Sequence, residues 1–317
     1  MRILLAPMEG VVDYTMRDML SSLGGLDRCV TEFVRVNAHL LPAKVFYRLC
    51  PELHHGGKTL SGTPVYVQLL GSNPEMMALN ALRAAELGAP GIDINFGCPA
   101  KTVNKSDGGS ILLREPHRLH DIVSAMRKVV PLATPVTAKI RLGYEDHSLL
   151  SEIVAAITSA GADELTIHAR TKVDGYKPPA YWQHIHDIQA ISSIPVIANG
   201  EVWTLDDYHQ CRTESGCQDV MLGRGLLTQP DLAAQIKQQQ SGATPEPMSW
   251  QSVLQLLSRF AKTTEQNFED KYVGNRVKQW LGYLRHGQYP ESVRLFEQIK
   301  RLKTAAEIQT IINQSIH

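Results

Sequence analysis

The sequence is short of cysteine, of long apolar runs and of net charge, and each shortage narrows what the chain can be. Its five cysteines, Cys29, Cys50, Cys98, Cys211 and Cys217, include no C-x-x-C pair. An odd number so spaced does not make a disulfide framework, and the simplest reading is a reduced, cytosolic protein. The N-terminal MRILLAPMEG is interrupted at Pro7 and Glu9, too early for the apolar region of a signal peptide. No stretch approaches the roughly 20 apolar residues of a membrane span. Net charge is zero, 32 Lys+Arg against 32 Asp+Glu, which argues against a general polyanion binder. There is no G-x-G-x-x-G after the first apolar run, which counts against a Rossmann domain.

What is present is ordinary globular composition, 43% hydrophobic over 317 residues. That length suits one large domain with something smaller attached. Eight short β-branched runs occupy the first 225 residues: 3–7, 29–34, 64–70, 91–96, 135–142, 164–169, 195–200 and 219–223. Several are apolar almost throughout, as in a parallel sheet buried on both faces. Helical segments alternate with them. Asn73-Pro74 opens one that stops at Gly88, Ser148 opens another that stops at Gly161, and Thr204 with Asp206 and Asp207 starts a third. Eight strands alternating with helices predict a TIM (β/α)8 barrel.

The strand pattern stops before the linker-like SGATPEP around residue 242. Helical spacing then covers residues 250–268, 272–285, 291–302 and 305–316, with Val273, Val277, Trp280, Leu281 and Leu284 on one apolar face. The expected division is a catalytic barrel at 1–242 and a small all-helical domain at 243–317. Residues 241–317 hold 10 basic and 7 acidic side chains; a phosphate backbone would be drawn here, but so mild an excess by itself fits a solvated helical surface better.

In this fold the active site lies at the C-terminal ends of the strands. Polar residues gather there: Pro7-Met8-Glu9, Gln68, Asn95 with Cys98, Lys139 and Arg141, His168 and Arg170, Asn199-Gly200-Glu201, and Gly223-Arg224. The last two loops are where such barrels often hold a phosphate, and their glycines and Arg224 supply N–H groups and a fixed charge. A cofactor ending in phosphate is therefore expected. Lys139 and Gln68 suit its head, since a cation stabilises the anionic edge of a reduced flavin. A Schiff-base lysine, as in a lyase, is the competing reading of Lys139. His168 has a plain alternative as a satisfied core histidine. Cys98 has no ligand-spaced partner, so no metal is expected, which leaves it nucleophile or proton donor. The turn-rich run 100–109 after it reads as a mobile active-site loop.

Taken in order, LLAPMEGVVD, NFGCPAKTVNKSDGG, VTAKIRLG, IHART, IPVIANGEV and DVMLGRGLL resemble the tRNA-dihydrouridine synthases over nearly the whole chain. TEFVRV and NRVKQWLGYL are most similar to the C-type subgroup, which acts at position sixteen of the tRNA D-loop. The resemblance implies FMN, reduced by NADPH, and a monomeric cytoplasmic enzyme with tRNA as partner and no obligate protein partner. It implies that Pro7, Met8, Glu9, Gln68, Lys139, His168, Asn199, Gly200, Glu201, Gly223 and Arg224 bind the cofactor, and that Cys98 is the catalytic acid. It implies tRNA contacts from Arg35, Asn95, Tyr176, Arg276, Lys278, Tyr283 and Lys300. A barrel flavoenzyme reducing a small pyrimidine or enone, with the tail merely packed against it, is the other reading of the same residues.

Overall fold

The computed structural model describes residues 1–316, apart from the side chains of Asp270 and Lys271; His317, the end of the expected tail domain, lies outside the described residues. Nine strands fill eight places in a closed barrel. They are β1 (Ile3–Leu5), β2 (Arg28–Val30), β3 (Val34–Arg35), β4 (Val65–Leu70), β5 (Ile92–Asn95), β6 (Val136–Arg141), β7 (Glu164–His168), β8 (Val196–Asn199) and β9 (Asp219–Leu222). Their order is β2-β1-β9-β8-β7-β6-β5-β4-β3, and a β2–β4 pairing closes the ring. The pairings are parallel, as a barrel with helical crossovers requires.

One expected strand is corrected. The run 29–34 is not continuous: β2 ends at Val30 and β3 begins at Val34. Between them the hydroxyl of Thr31 accepts the N–H of Gln68 at 3.0 Å. A side-chain oxygen thus stands in for a backbone carbonyl; Thr31 still donates its N–H to the Tyr66 carbonyl at 3.0 Å, and residues 32 and 33 leave the ladder.

The helix signals fare better. The Asn73 side chain caps helix Pro74–Glu86 by accepting from the Met76 N–H, and Gly88 follows with φ +92°. Thr204 and Asp207 form a reciprocal capping box on helix Leu205–Ser215. The helix expected from Ser148 starts two residues later, at Leu150, because Ser148 is held by Asp146 in the preceding turn.

Alternation along the strands separates two interiors. Val67, Ile92, Ile94, Val136, Ala138, Leu165, Ala198 and Val220 face outward into the large core beneath the helices. The intervening residues face the barrel axis. Leu4, Val30, Tyr66, Ile197 and Met221 form an apolar plug there. On β4 to β8 other inward positions are polar, with Gln68, Asp93, Thr137, Thr166 and Asn199 all buried.

Among the described residues the tail is four helices, Trp250–Asn267, Asp270–Leu284, Glu291–Ile299 and Ala305–Ile316. Its apolar residues join the same core as the helices around the barrel. Trp280 is the main anchor. It is 1% exposed, packs edge-on against Phe260 with centroids 4.9 Å apart, and donates its indole N–H to the Leu227 carbonyl at 3.2 Å. Among the described residues no helix is long and apolar enough to cross a membrane.

Trp280→Ala should cost about 3–5 kcal/mol in urea unfolding, through lost burial and the cavity left behind. A loss below about 1 kcal/mol would mean that the tail is not anchored at this point.

Candidate active site

The polar strand ends open into a cavity of about 580 Å³. Every residue expected to hold the cofactor lines it: Pro7, Met8, Glu9, Gln68, Lys139, His168, Asn199, Gly200, Glu201, Gly223 and Arg224. Cys98, Asn95, Tyr176 and Tyr283 share the same walls.

Lys139 occupies an inward position of β6 and is half-buried where it borders the cavity. Its ammonium donates to Asn199 Oδ1 at 2.9 Å, and the Asn199 amide donates in turn to the Met221 carbonyl at 2.8 Å. Desolvation, reinforced by Arg141, pushes the Lys139 pKa down to about 8, against the pull of Asp93. His168 is held well below its usual range by burial and by Arg141, Lys139, Arg170 and Arg224 around it. Arg170 lies 3.4 Å from His168 Nε2. An arginine can only donate, so Nε2 accepts and the neutral ring carries its proton on Nδ1.

On the β8 and β9 side, Gly200 has φ +114°, and a Cβ there would come within 2.9 Å of His168 Cδ2. Glu201 follows with φ +59°, an uncommon backbone for a residue with a side chain, costing on the order of 1–2 kcal/mol. Its carboxylate pairs with the buried Arg170 and lies 3.8 Å from Arg224. The Arg224 guanidinium sits between two rings, 4.9 Å from Trp203 and 5.3 Å from Tyr176. Tyr176 also covers Arg141 at 5.1 Å.

Cys98 follows β5 in a folded loop. Asn95 Oδ1 accepts the N–H groups of Gly97 and Cys98 at 3.0 and 2.9 Å. Asn104 and Ser110 donate to the Cys98 carbonyl at 2.9 and 2.8 Å. The run 100–109, expected to be loop, instead contains the helix Lys101–Lys105, because Asn104 ties its turn back to Cys98 and Ala100. Burial raises the Cys98 pKa above its ordinary value, so the sulfur is a thiol at neutral pH. The other four cysteines are free and buried. No group of acidic, His and Cys residues suited to a metal exists among the described residues.

The residues expected to meet RNA are less concentrated. Tyr176 and Tyr283 line the cavity, and Asn95 lies in its wall. Arg35 is exposed at the end of β3 and points to the Thr102 carbonyl. Arg276 is half-buried and paired with Asp13 at 2.7 Å, while Lys278 caps the Leu302 carbonyl at 3.1 Å. Lys300 pairs with Glu297 outside the cavity. Arg276 borders a second cleft with Gly10, Phe268, Tyr272, Asn275 and Gln279. Glu32 and Trp203 also line the main cavity and were not singled out from sequence. Arg141 and Arg170 were placed at the rim without a role. Glu32 sits in the segment misread as strand, and Trp203 lies beyond the last polar motif residue, so neither carried a periodic signal.

A family model described as Dihydrouridine synthase (Dus) matches residues 4–316. The tRNA-dihydrouridine(16) synthase of Shewanella oneidensis is 55% identical over 317 residues, covering 100% of this chain and 99% of that protein. That of Vibrio cholerae serotype O1 is 50% identical over 315 residues, covering 99% of this chain and 95% of that one. Among solved structures, histamine dehydrogenase from Rhizobium sp. 4-9 overlays with a TM-score of 0.59 at 15% identity, over 82% of this chain and 48% of that chain. Likeness at that identity concerns the barrel alone, whereas the family match and the two relatives span essentially the whole sequence: the chain belongs to the dihydrouridine synthase family.

Proposed function

We propose that the protein reduces a uridine of the tRNA D-loop, at position 16, to 5,6-dihydrouridine, with FMN in the cavity and NADPH as reductant. The observation that carries this reading is the convergence of a thiol, Cys98, and an ammonium, Lys139, on one cavity whose far loops hold Arg224. The position follows the names of the relatives at 55% and 50% identity.

The donor set fits the cofactor. Lys139, Arg141, Arg170 and Arg224 all press on His168, so the cavity favours an anionic guest. Gly223 leaves space where only Ala6 and Met8 come near, at 3.8 Å from a would-be Cβ. Arg224, Asn199, Gly200, Glu201 and Gly223 would hold ribityl and phosphate, while Pro7, Met8, Glu9, Gln68, Lys139 and His168 would border the ring system. FMN bound there would supply a hydride for C6 of the uracil. The negative charge then building toward C5 and O4 must be met by a proton. Cys98 gives its S–H proton to C5, completing the addition across C5=C6, and the thiolate is later reprotonated from water. Lys139 and neutral His168 offer further N–H donors to that charge. A base must leave its stack to enter, at a cost of a few kcal/mol that is smaller in a loop. Tyr176, with an exposed ring at the rim, suits such a base. The tail, taken as residues 243–317, would carry the RNA through Arg276, Lys278, Tyr283 and Lys300, with Arg35 and Asn95 on the barrel side.

Cys98→Ala should bind FMN and be bleached by NADPH at the native rate. Reoxidation by tRNA should slow by roughly 10²–10⁴, the usual weight of a positioned acid. Cells carrying only this variant should keep uridine at position 16. Stopped-flow reoxidation near the native rate would remove Cys98 from its role, and unchanged dihydrouridine at position 16 in cells lacking the protein would refute the reading.

Lys139 supplies a pH test. An anionic guest binds the ammonium form better, and that form is lost as pH rises through about 8. The FMN dissociation constant should therefore climb above pH 8, by at most about tenfold per pH unit for one linked proton. Lys139→Met should bind more weakly at pH 7 and show no such rise; a wild-type constant that is flat to pH 9 would argue against the linkage.

For the tail, the Arg276→Ala/Lys278→Ala pair should weaken tRNA binding and lower the salt slope by about two, about one for each phosphate that is no longer neutralised. An unchanged slope in filter binding would assign both side chains to the intramolecular bonds they make.

A further inference from the structure

Asp93 lies beneath the cavity, not in its wall, and is 2% exposed. It faces inward from β5, in register with Gln68 of β4 and Thr137 of β6. Thr137 Oγ1 donates to Asp93 Oδ1 at 2.6 Å, and Gln68 Nε2 donates to Asp93 Oδ2 at 2.7 Å. Asn95 Nδ2 donates to Gln68 Oε1 at 2.8 Å. Asn95 Oδ1 then receives the backbone N–H groups of Gly97 and Cys98.

We propose that Asp93 is a positioning residue that sets the polarity of this hydrogen-bond chain and thereby the placement of Cys98. The inference rests on the reading of Cys98 as proton donor. Its logic is that of donors and acceptors. An ionised carboxylate only accepts, so Gln68 must turn its NH₂ toward Asp93. Its Oε1 is then left for Asn95, which must present its own NH₂. Asn95 Oδ1 is the group that remains, and it holds the two backbone N–H donors of the Cys98 loop.

A neutral residue at position 93 removes that directionality. An asparagine there could offer its NH₂ to Gln68 Oε1, and the reversed chain would turn Asn95 NH₂ against two backbone donors. Burial pushes the Asp93 carboxyl up to about 6, with Lys139 and Arg28 as the cations that oppose the rise, so it is ionised at pH 7.5. The same carboxylate favours the charged form of Lys139.

The test uses Asp93→Asn, Thr137→Val and Thr137→Ser in the FMN-loaded enzyme at pH 7.5. Asp93→Asn also disturbs Gln68 and Lys139 beside the flavin, so bleaching by NADPH should slow, but by less than reoxidation at saturating tRNA, which should fall about ten- to a hundredfold, the effect of misplacing a reacting group. Thr137→Val, which deprives Asp93 of one donor, should slow the same step by about threefold, and Thr137→Ser should restore it. A merely structural role would lower both half-reactions equally. Independently of RNA, the alkylation rate of Cys98 by iodoacetamide, read by mass spectrometry, should rise at least about threefold in Asp93→Asn and Thr137→Val as the loop is released. Native reoxidation and alkylation rates in Asp93→Asn overturn the inference. If that variant does not fold, equal rates for Thr137→Val and Thr137→Ser overturn it. Failure of tRNA to reoxidise the wild-type enzyme sinks the functional reading instead, and alkylation then decides the positioning claim alone.

Discussion

An ammonium and a carboxylate share the inside of one β-barrel, and most of the upper architecture answers to that fact. Charge in such a place is tolerated only when partnered and hydrogen-bonded. Asp93 has Thr137 and Gln68, and Lys139 has Asn199, each drawn from a neighbouring inward position. The strands must therefore alternate an apolar outward set with a polar inward one near their C-terminal ends. Elsewhere on the inward side Leu4, Val30, Tyr66 and Ile197 pack as an apolar plug. The barrel is thus a closed base under a charged cup.

The cup holds more cations than anions, which is unstable unless each guanidinium is fixed elsewhere. Arg141 donates to the carbonyls of Gly97, Thr171 and Gly175. Arg170 donates to those of Lys177 and Pro179 and pairs with Glu201. Arg224 has less of this and more aromatic surface, between Trp203 and Tyr176. Such stacking leaves guanidinium N–H groups free to turn toward an anion, which an arginine already spent on carbonyls lacks. The left-handed Glu201 belongs to the same economy of space: only a tight turn after Gly200 brings its carboxylate to Arg170.

Much of this was legible in the sequence because it was periodic or capped. The outward residues of β4 to β9 carry the alternation, and Asn73, Gly88 and Thr204 mark helix ends by chemistry that does not depend on the rest of the chain. The rim motifs were legible for the same reason, each sitting where a strand must end. Asp93 was hidden in GIDINF, where an inward carboxylate between two isoleucines looks like any strand alternation. Recognising it needed the registers that bring Gln68 and Thr137 alongside. Glu32 was hidden by the Thr31 hydroxyl, whose stand-in for a carbonyl breaks the strand without a glycine or proline to announce it. The tail's helices were plain, but the partners of Arg276 and Lys278 were not, since Asp13 and the Leu302 carbonyl are distant in sequence.

Those partners bear on how a small tail can serve a deep site. Helix Asp270–Leu284 is pinned at three heights along its length. Arg276 meets Asp13, the N-cap of helix Tyr14–Ser21, and packs 4.9 Å from the Phe268 ring. Gln279 donates to the Gly10 carbonyl at 3.0 Å, and Gly10 itself donates its N–H to Glu32 of the cavity wall. Trp280 reaches the carbonyl of Leu227, on the short helix that follows Arg224. Tyr283, less than one turn further on, lines the cavity. A helix so fixed cannot shift without disturbing the loops after β1 and β9, both of which border the cavity. An RNA held by this tail would therefore be registered against the cup by side chains that face inward, and the outward charges need only supply attraction.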